Sequence, residues 1–373
     1  MKKLIVSICT AFCLMTAPLA ALEWGGLFFN DSGLTTPDFS DITIKQSDGI
    51  SFWVKSPLGE NSGLYFSSEV LYKVNIDFPL KGDATFTQIV DLPLLKVSGD
   101  LNLGSGLLSL NAGRFYYVDA SSAIISQVVD GVSLSYGLPL VKVGAFVGYT
   151  GLLNALNVPM AVLPEKNNDF YNMAYPYLPL GFTVELPSLL GNQSLEFDGY
   201  YLLDLGSAKT KTNFFYANAV LSGPITNSIY YNLDTTFGLI NFKDAMNYSA
   251  FSLLVFPSEN LSLNAGASFG SGDQGPFVNF ASLSTASILA AGKITPKVGL
   301  SYTTGSMLAG INGDFILAYD GSSYSPSNTD WNLELIYNIF TDLQVGFFVN
   351  TTFDLTEAKV NNYVAKLNLS LAF

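Results

Sequence analysis

The sequence predicts an all-β chain, a membrane-spanning antiparallel up-and-down β-barrel of about 16–18 strands. Three observations carry that prediction. The chain is 49% apolar and only 13% charged, yet beyond its first residues no apolar run is long enough to cross a bilayer as a helix. Its apolar residues alternate with polar ones, segment after segment. Its connections fall by turns into a short class and a class that holds every long one.

The beginning of the chain reads as an export leader rather than as a strand. Lys2 and Lys3 form a positive start, Leu4 to Met15 an apolar run, and Ala17, Ala20 and Ala21 supply small residues for cleavage. Residues 1–21 are therefore expected to be a cleaved Sec-type signal peptide, and residues 22–373 the barrel domain. Both cysteines, Cys9 and Cys13, fall inside the leader, and the chain has no histidine. Disulfides, thiolate nucleophiles, Ser-His-Asp hydrolysis and His-based metal sites are thereby excluded. Of the 17 basic residues, Lys2 and Lys3 leave with the leader, so 15 oppose 30 acidic ones, a poor surface for nucleic acid. Gly104-Ser105-Gly106 is a turn, because no helical pattern follows it. Asp314, Asp320 and Asp330 flank an outer loop and read as ordinary solvated charge, with attraction of a divalent cation as the less favoured alternative. No catalytic residue, metal or cofactor is expected, and the chain is not read as an enzyme.

The alternation is clearest at the end of the chain. Tyr363, Ala365, Leu367, Leu369, Leu371 and Phe373 share one side, opposite Asn362, Lys366, Asn368 and Ser370. Residues 342–353, 331–339, 261–269 and 66–78 repeat the pattern, and similar segments lie at 132–136, 141–149, 180–186, 195–205, 229–240, 298–302 and 311–319. Segments of about ten residues with one apolar and one polar face suit a tilted membrane strand. Residues 39–56 read either as one long strand preceded by another at 22–29, or as a hairpin turning at Ser47-Asp48-Gly49. Segment 246–256 is weak, and Pro93 interrupts 84–103, where a bulge is expected.

Counting back from Phe373, short turns are expected at 340–342, 304–307, 256–259, 222–225, 187–193, 137–139, 103–106 and 56–62. The intervening connections include the long loops 118–128, 151–178, 271–292 and 320–328. Short turns on one side of the membrane and long loops on the other are the asymmetry of outer-membrane barrels, with the C-terminus on the periplasmic side.

With its alternating last strand ending on Phe373, residues 22–373 resemble a Gram-negative-type outer-membrane porin barrel. Gly113-Arg114-Phe115 followed by Asp130-Gly131 resembles a pattern common in such barrels. The Leu22-Glu23-Trp24-Gly25-Gly26 start and the loosely specified cleavage site are similar to spirochaete envelope barrels. The resemblance implies that Tyr363, Leu367, Leu369, Leu371 and Phe373 form a signal read by the barrel assembly machinery. The chain departs from general porins in having a single arginine, Arg114, so no ring of arginines can face acids across a constriction.

A barrel of this size leaves an aqueous lumen. Strand parity aims the acids Glu69, Asp77, Asp100, Glu185, Glu196, Asp198, Asp204, Asp234, Asp314 and Glu334 inward, with the bases Lys55, Lys73, Lys96, Lys142, Lys297 and Lys366. The excess of acids predicts a weak preference for cations, with Glu196, Asp198 and Asp204 as the densest patch. Arg114 shares the parity of the lipid-facing Leu108, Leu110 and Ala112, so either a bulge at Gly113 turns it inward or it lies at the outer rim. Loop 151–178, with Met160, Phe170, Tyr171, Met173, Tyr175 and Tyr177, is expected to constrict the pore or pack on its mouth. Loop 271–292 is expected to hold a short helix.

The sequence thus reads as an outer-membrane channel for passive diffusion of small hydrophilic solutes. Its partners are the lipid bilayer, the assembly machinery and the solutes, and a homotrimer is compatible with it. Inward Trp53, Tyr65, Phe146, Tyr200, Tyr216, Tyr230 and Phe348 support an alternative, transport of hydrophobic small molecules, although only residues 22–38 are free to act as a plug. A surface-exposed adhesin or structural barrel is the third reading.

Overall fold

The computed structural model describes residues 22–37, 41–59, 62–158, 160, 170–189, 191–208, 210–271, 277–278, 280–282, 292–319 and 322–373. The leader at 1–21, Asp320 and most of loop 271–292, where a short helix is expected, lie outside the described residues. The strands are β1 (Glu23–Thr36), β2 (Thr43–Pro57), β3 (Leu64–Pro79), β4 (Thr85–Leu103), β5 (Gly106–Val118), β6 (Ile125–Gly137), β7 (Lys142–Tyr149), β8 (Tyr177–Leu186) and β9 (Ser194–Asp204). There follow β10 (Phe214–Thr226), β11 (Ile229–Ile240), β12 (Asp244–Ser258), β13 (Leu261–Gly270), the two-residue β14 (Ala281–Ser282), β15 (Lys293–Thr304), β16 (Met307–Tyr319), β17 (Tyr324–Asn338), β18 (Leu343–Asp354) and β19 (Lys359–Ala372).

All of these except β14 pair antiparallel with their sequence neighbours, and β1 closes the ring against β19. The barrel therefore has 18 strands among the described residues, within a sheet of 19 that counts β14. Closure leaves no sheet edge, which a strand facing hydrocarbon could not tolerate. The period-2 pattern sets the faces: Val70, Tyr72 and Phe78 on β3, Leu180 and Phe182 on β8, and Leu333, Leu335 and Tyr337 on β17 are all exposed outward. A slip of one residue would carry each of these sets into the lumen, so the register is strongly specified.

The first ambiguity resolves toward a strand before a long strand. Ser47-Asp48-Gly49 lies within β2, paired with Phe29 to Asp31 on one side and Lys73 to Asn75 on the other. The weak segment 246–256 is a full strand, β12. Pro93 sits where the β3–β4 register shifts between Glu69 and Leu71, a bulge that spares the ladder a missing donor. The turn expected at 222–225 lies instead at 227–228. Gly223 and Pro224 remain in β10 and are absorbed by a register shift between Pro224 and Thr226.

At one end of the barrel every connection is short, while the other holds both long ones, 150–176 and 271–292, beside short ones such as 241–243 and 355–358. The long loop expected at 320–328 shrinks to 320–323, because β17 pairs with β16 from Tyr324 onward. The described start of β1 and the end of β19 meet at the short-turn end. Gly26 N–H donates to the Phe373 carbonyl (2.8 Å) and Phe373 N–H to that of Gly26 (3.0 Å). A Cβ on Gly26 would stand 2.4 Å from the Phe373 ring, so the seam needs glycine there.

Candidate functional site

One side of the lumen is filled. Phe115 and Tyr117 on β5, Phe146 on β7, Tyr177 on β8, Tyr200 on β9, Phe214 and Tyr216 on β10 and Tyr248 on β12 converge on Ile124 and Ile125 and on Phe277 and Phe280. These side chains come from strands too far apart around the ring to meet along the wall. Tyr117 stacks on Phe146 (3.9 Å) and its hydroxyl meets that of Tyr200 at 3.0 Å, four strands away. Phe280, fully buried, packs edge-on against Tyr177 at 4.9 Å, while Phe277 packs against Tyr248 at 5.5 Å.

Two loops enter the lumen to complete this filling. The loop 119–124 folds inward, and its Ala120 N–H donates to Asp198 of β9 (2.9 Å). Asp119 shapes it, accepting the N–H groups of Ser121, Ile124 and Ile125, while burial raises its carboxyl above the ordinary carboxylate range. Residues 277–278 and 280–282, from the connection after β13, lie in this filling, and β14 pairs in parallel with the start of β6, seven strands from β13. Tyr216 anchors this connection through its hydroxyl to the Val278 carbonyl (2.7 Å). Sequence reasoning placed the crossing elsewhere. The usable signal was Phe277 and Phe280, two large aromatics within a Gly-, Ser- and Ala-rich connection.

The predicted lumen positions all lie opposite exposed lipid-side residues of their own strands. Glu69, Lys73 and Asp77 oppose Val70, Tyr72 and Phe78; Lys96 and Asp100 oppose Leu95; Lys142 opposes Val143. Glu185 opposes Phe182, and Glu196, Asp198 and Asp204 oppose Phe197. Asp234 opposes Leu233, Lys297 opposes Val298, Asp314 opposes Phe315, Glu334 opposes Leu335, and Lys366 opposes Leu367. They do not form one set. Asp198, Asp204 and Asp234 are buried beneath the loops or within the wall. Asp204 holds the 205–213 connection through the N–H groups of Gly206 and Thr212 (both 2.8 Å), and Asp234 accepts from Asn218 (2.7 Å). Lys142 is paired with Glu185 at 3.2 Å. The dense patch expected on β9 thus reduces to Glu196, because its other two carboxylates serve as anchors. Phe146, Tyr200 and Tyr216 are likewise buried in the cluster rather than lining a path.

The opposite side of the lumen is open and polar. A pocket of about 720 Å³ is lined by Asp31, Asn312, Asn332, Glu334, Phe348, Asn350, Lys366 and Asn368. It adjoins another of about 360 Å³ that shares Asn312 and Asn332 and adds Asn264, Lys297 and Asp314. A third concavity, beside Ala219, Thr235, Ser249 and Ala267, shares the parity of exposed Leu233 and Phe251 and so lies on the lipid side, away from the passage.

Arg114 belongs to the wall rather than the lumen. β4 and β5 pair only as far as Leu95 and Arg114, and beyond that point they part toward the long-loop end. Residues 150–158 fold against this opening, with Asn154 donating to the Val90 carbonyl (3.1 Å) and Asn157 to Asp91 (2.6 Å). Arg114 donates two hydrogen bonds to Asp130 (2.7 and 2.8 Å) and one to the Leu152 carbonyl (2.8 Å), and lies 3.8 Å from Asp91. Gly113 has φ +121°, yet the pairing runs through it without a shift, so no bulge turns Arg114 inward. The residue keeps its lipid-side parity near the long-loop rim and is only 8% exposed. Residues 150–158 of this loop seal the wall here, while Met160 and Tyr175 pack on the luminal cluster.

No family model and no curated protein matches the chain. Solved structures do. The chain aligns with Pseudomonas aeruginosa OccK3 (OpdO) at TM-score 0.63 and 11% identity, covering 94% of this chain and 96% of that one. It aligns with P. aeruginosa OpdK, solved with vanillate, at 0.62 and 11%, covering 94% and 98%. With Acinetobacter baumannii OccAB4 the values are 0.58 and 12%, covering 96% and 100%. The closed ring of 18 strands shares its fold with these proteins.

Proposed function

We propose that the protein is an outer-membrane channel through which small hydrophilic solutes diffuse passively, with a weak preference for cations and no catalytic step. The observation that carries this reading is the open polar half of the lumen beside the filled half. Barrels of this size enclose water unless plugged. Here the described loops fill one side and leave Asp31, Asn312, Asn332, Glu334 and Asn350 around an open one. Glu69, Asp77, Asp100, Glu196, Asp314 and Glu334 supply the acidic bias, against Lys55, Lys73, Lys96, Lys297 and Lys366. The test is single-channel recording of the mature protein in a planar bilayer under a salt gradient. Steady current steps with a cation-biased reversal potential are expected. Silence from protein shown to be folded by heat-modifiable gel migration would sink the channel reading and favour an adhesin or structural barrel.

Two partners belong to this reading. The lipid-side residues Tyr363, Leu367, Leu369 and Leu371 of β19, with Phe373, form the proposed signal to the assembly machinery. Deleting Phe373 should lower the outer-membrane yield, and a normal yield would count against the signal. The second partner is the chain itself, as a homotrimer. Asn30, Ser32, Gln46 and Asp48 share the side of exposed Phe28, Ile44 and Ile50, facing lipid. They bond to one another, Asn30 to Asp48 at 2.5 Å and Ser32 to Gln46 at 2.6 Å. Polar side chains facing hydrocarbon are costly, and a neighbouring barrel would cover them. A monomeric mass in mild detergent would argue against the trimer.

A further inference from the structure

One row of the open wall consists of amides. Asn264 on β13, Asn312 on β16, Asn332 on β17 and Asn350 on β18 fall on a single cross-strand line that passes through Gly299 on β15. Asn264 reaches across β15 to donate to Asn312 (3.2 Å), and Asn350 donates to Asn332 (2.6 Å). Gly299 makes the first contact possible. A Cβ there would stand 2.1 Å from Asn312 Oδ1 and 2.5 Å from Asn264 Nδ2.

The rows on either side differ from this one. Toward the short-turn end, Glu334, Phe348 and Lys366 are cross-strand neighbours, and toward the long-loop end Lys297 is paired across strands with Asp314. Each flanking row carries both signs, and the row between them carries none. Each amide can donate two hydrogen bonds and accept two, so the two bonds within the row use a small part of its capacity. The remainder faces the pockets of about 720 and 360 Å³ that Asn312 and Asn332 share. Phe348 adds an apolar ring at the edge of the first pocket.

Resting on the channel reading above, we propose that this amide row is a binding track for uncharged, hydroxyl-rich solutes of sugar type. Such solutes present donors and acceptors together around their rim, which amides match at once and carboxylates or ammonium groups do not. Their C–H faces suit the Phe348 ring. A carboxylate solute would instead need a run of cations, and the lone arginine is spent on Asp130 and the Leu152 carbonyl. Spacing along the row lets a solute exchange one amide for the next without losing all its hydrogen bonds, so binding need not halt passage.

The test uses sucrose and a polyethylene glycol of matched hydrodynamic size, added to single channels of the wild-type protein. Sucrose should lower the current along a saturating curve beyond its effect on bulk conductivity. The polyether, which accepts but scarcely donates, should not saturate. An N312L/N332L variant, its sucrose block scaled to its own sucrose-free ion current, should shift the half-saturating sucrose concentration upward by roughly fivefold or more, as the loss of one to two net hydrogen bonds requires. If that variant does not give folded protein, Asn332→Asp alone should shift the same curve in the same direction. Equal curves for sucrose and polyether, or unchanged half-saturation in a folded variant, would overturn the track while leaving the channel intact. Absence of any ion current would overturn the channel reading, and the track with it.

Discussion

Replacing Arg114 with methionine is expected to lower the temperature at which the folded barrel loses its heat-modifiable migration, through a loss of about 3–5 kcal/mol. The guanidinium is 8% exposed and lies between Asp130 and Asp91. Removing it leaves the buried Asp91 and the half-buried Asp130 without their shared cation, and frees the Leu152 carbonyl that anchors loop 150–158. Arg114→Lys should recover only part of the loss, because an ammonium cannot make the two parallel bonds that Asp130 accepts. The double variant R114M/D130L should be more stable than Arg114→Met alone, since removing both members of a buried pair costs less than removing one. An unchanged melting temperature for Arg114→Met would mean that the opening between β4 and β5 is held by the loop's other bonds.

The second large effect is expected in conductance. Phe280→Ala should release the loop 271–292 from the lumen and raise the single-channel current. Phe280 is fully buried against Tyr177 and Phe214, and truncating such a ring costs about 3–5 kcal/mol. The barrel ladder does not depend on this ring. The cost falls on docking of the loop, a factor of about a hundred or more in its docked population. Protease should cut the variant within that loop while the barrel stays intact. A current equal to the wild type, with the loop still protected, would show that Tyr216 and the β14–β6 pairing hold the crossing without it.

Much of the wall was legible in the chain because period 2 is a local property. Leu367, Leu369 and Leu371 against Lys366, Asn368 and Ser370 declare their faces without any knowledge of neighbours, and the same holds for β3 and β17. The division of connections into short and long followed from counting. One reading stayed open and another went wrong where a local signal had two outcomes. Ser47-Asp48-Gly49 has turn chemistry, but β1 and β3 pair through it and hold it extended. Gly223-Pro224 also suggests a turn, and a register shift absorbs it within β10.

Face assignment also reached the candidate site, but only in part. Parity aimed Asp198, Asp204 and Asp234 inward, and could not say that loops would cover them. Whether an inward carboxylate meets water or an N–H depends on chain segments distant in sequence, as with Ala120 on Asp198. Arg114 shows the same division. Its lipid-side parity was readable, while the partners that make this tolerable come from β4, β6 and loop 150–158.

By itself, then, the sequence determined strand identity, the lipid and lumen faces, the even closure and the absence of histidine and cysteine chemistry from the barrel, because composition and alternation are properties of the chain. Tertiary structure alone decided which loops enter the lumen, which charges stay open, and that Asn264, Asn312, Asn332 and Asn350 fall into one row. Those outcomes depend on the stagger between strands and on contacts across the barrel, and no local pattern encodes either.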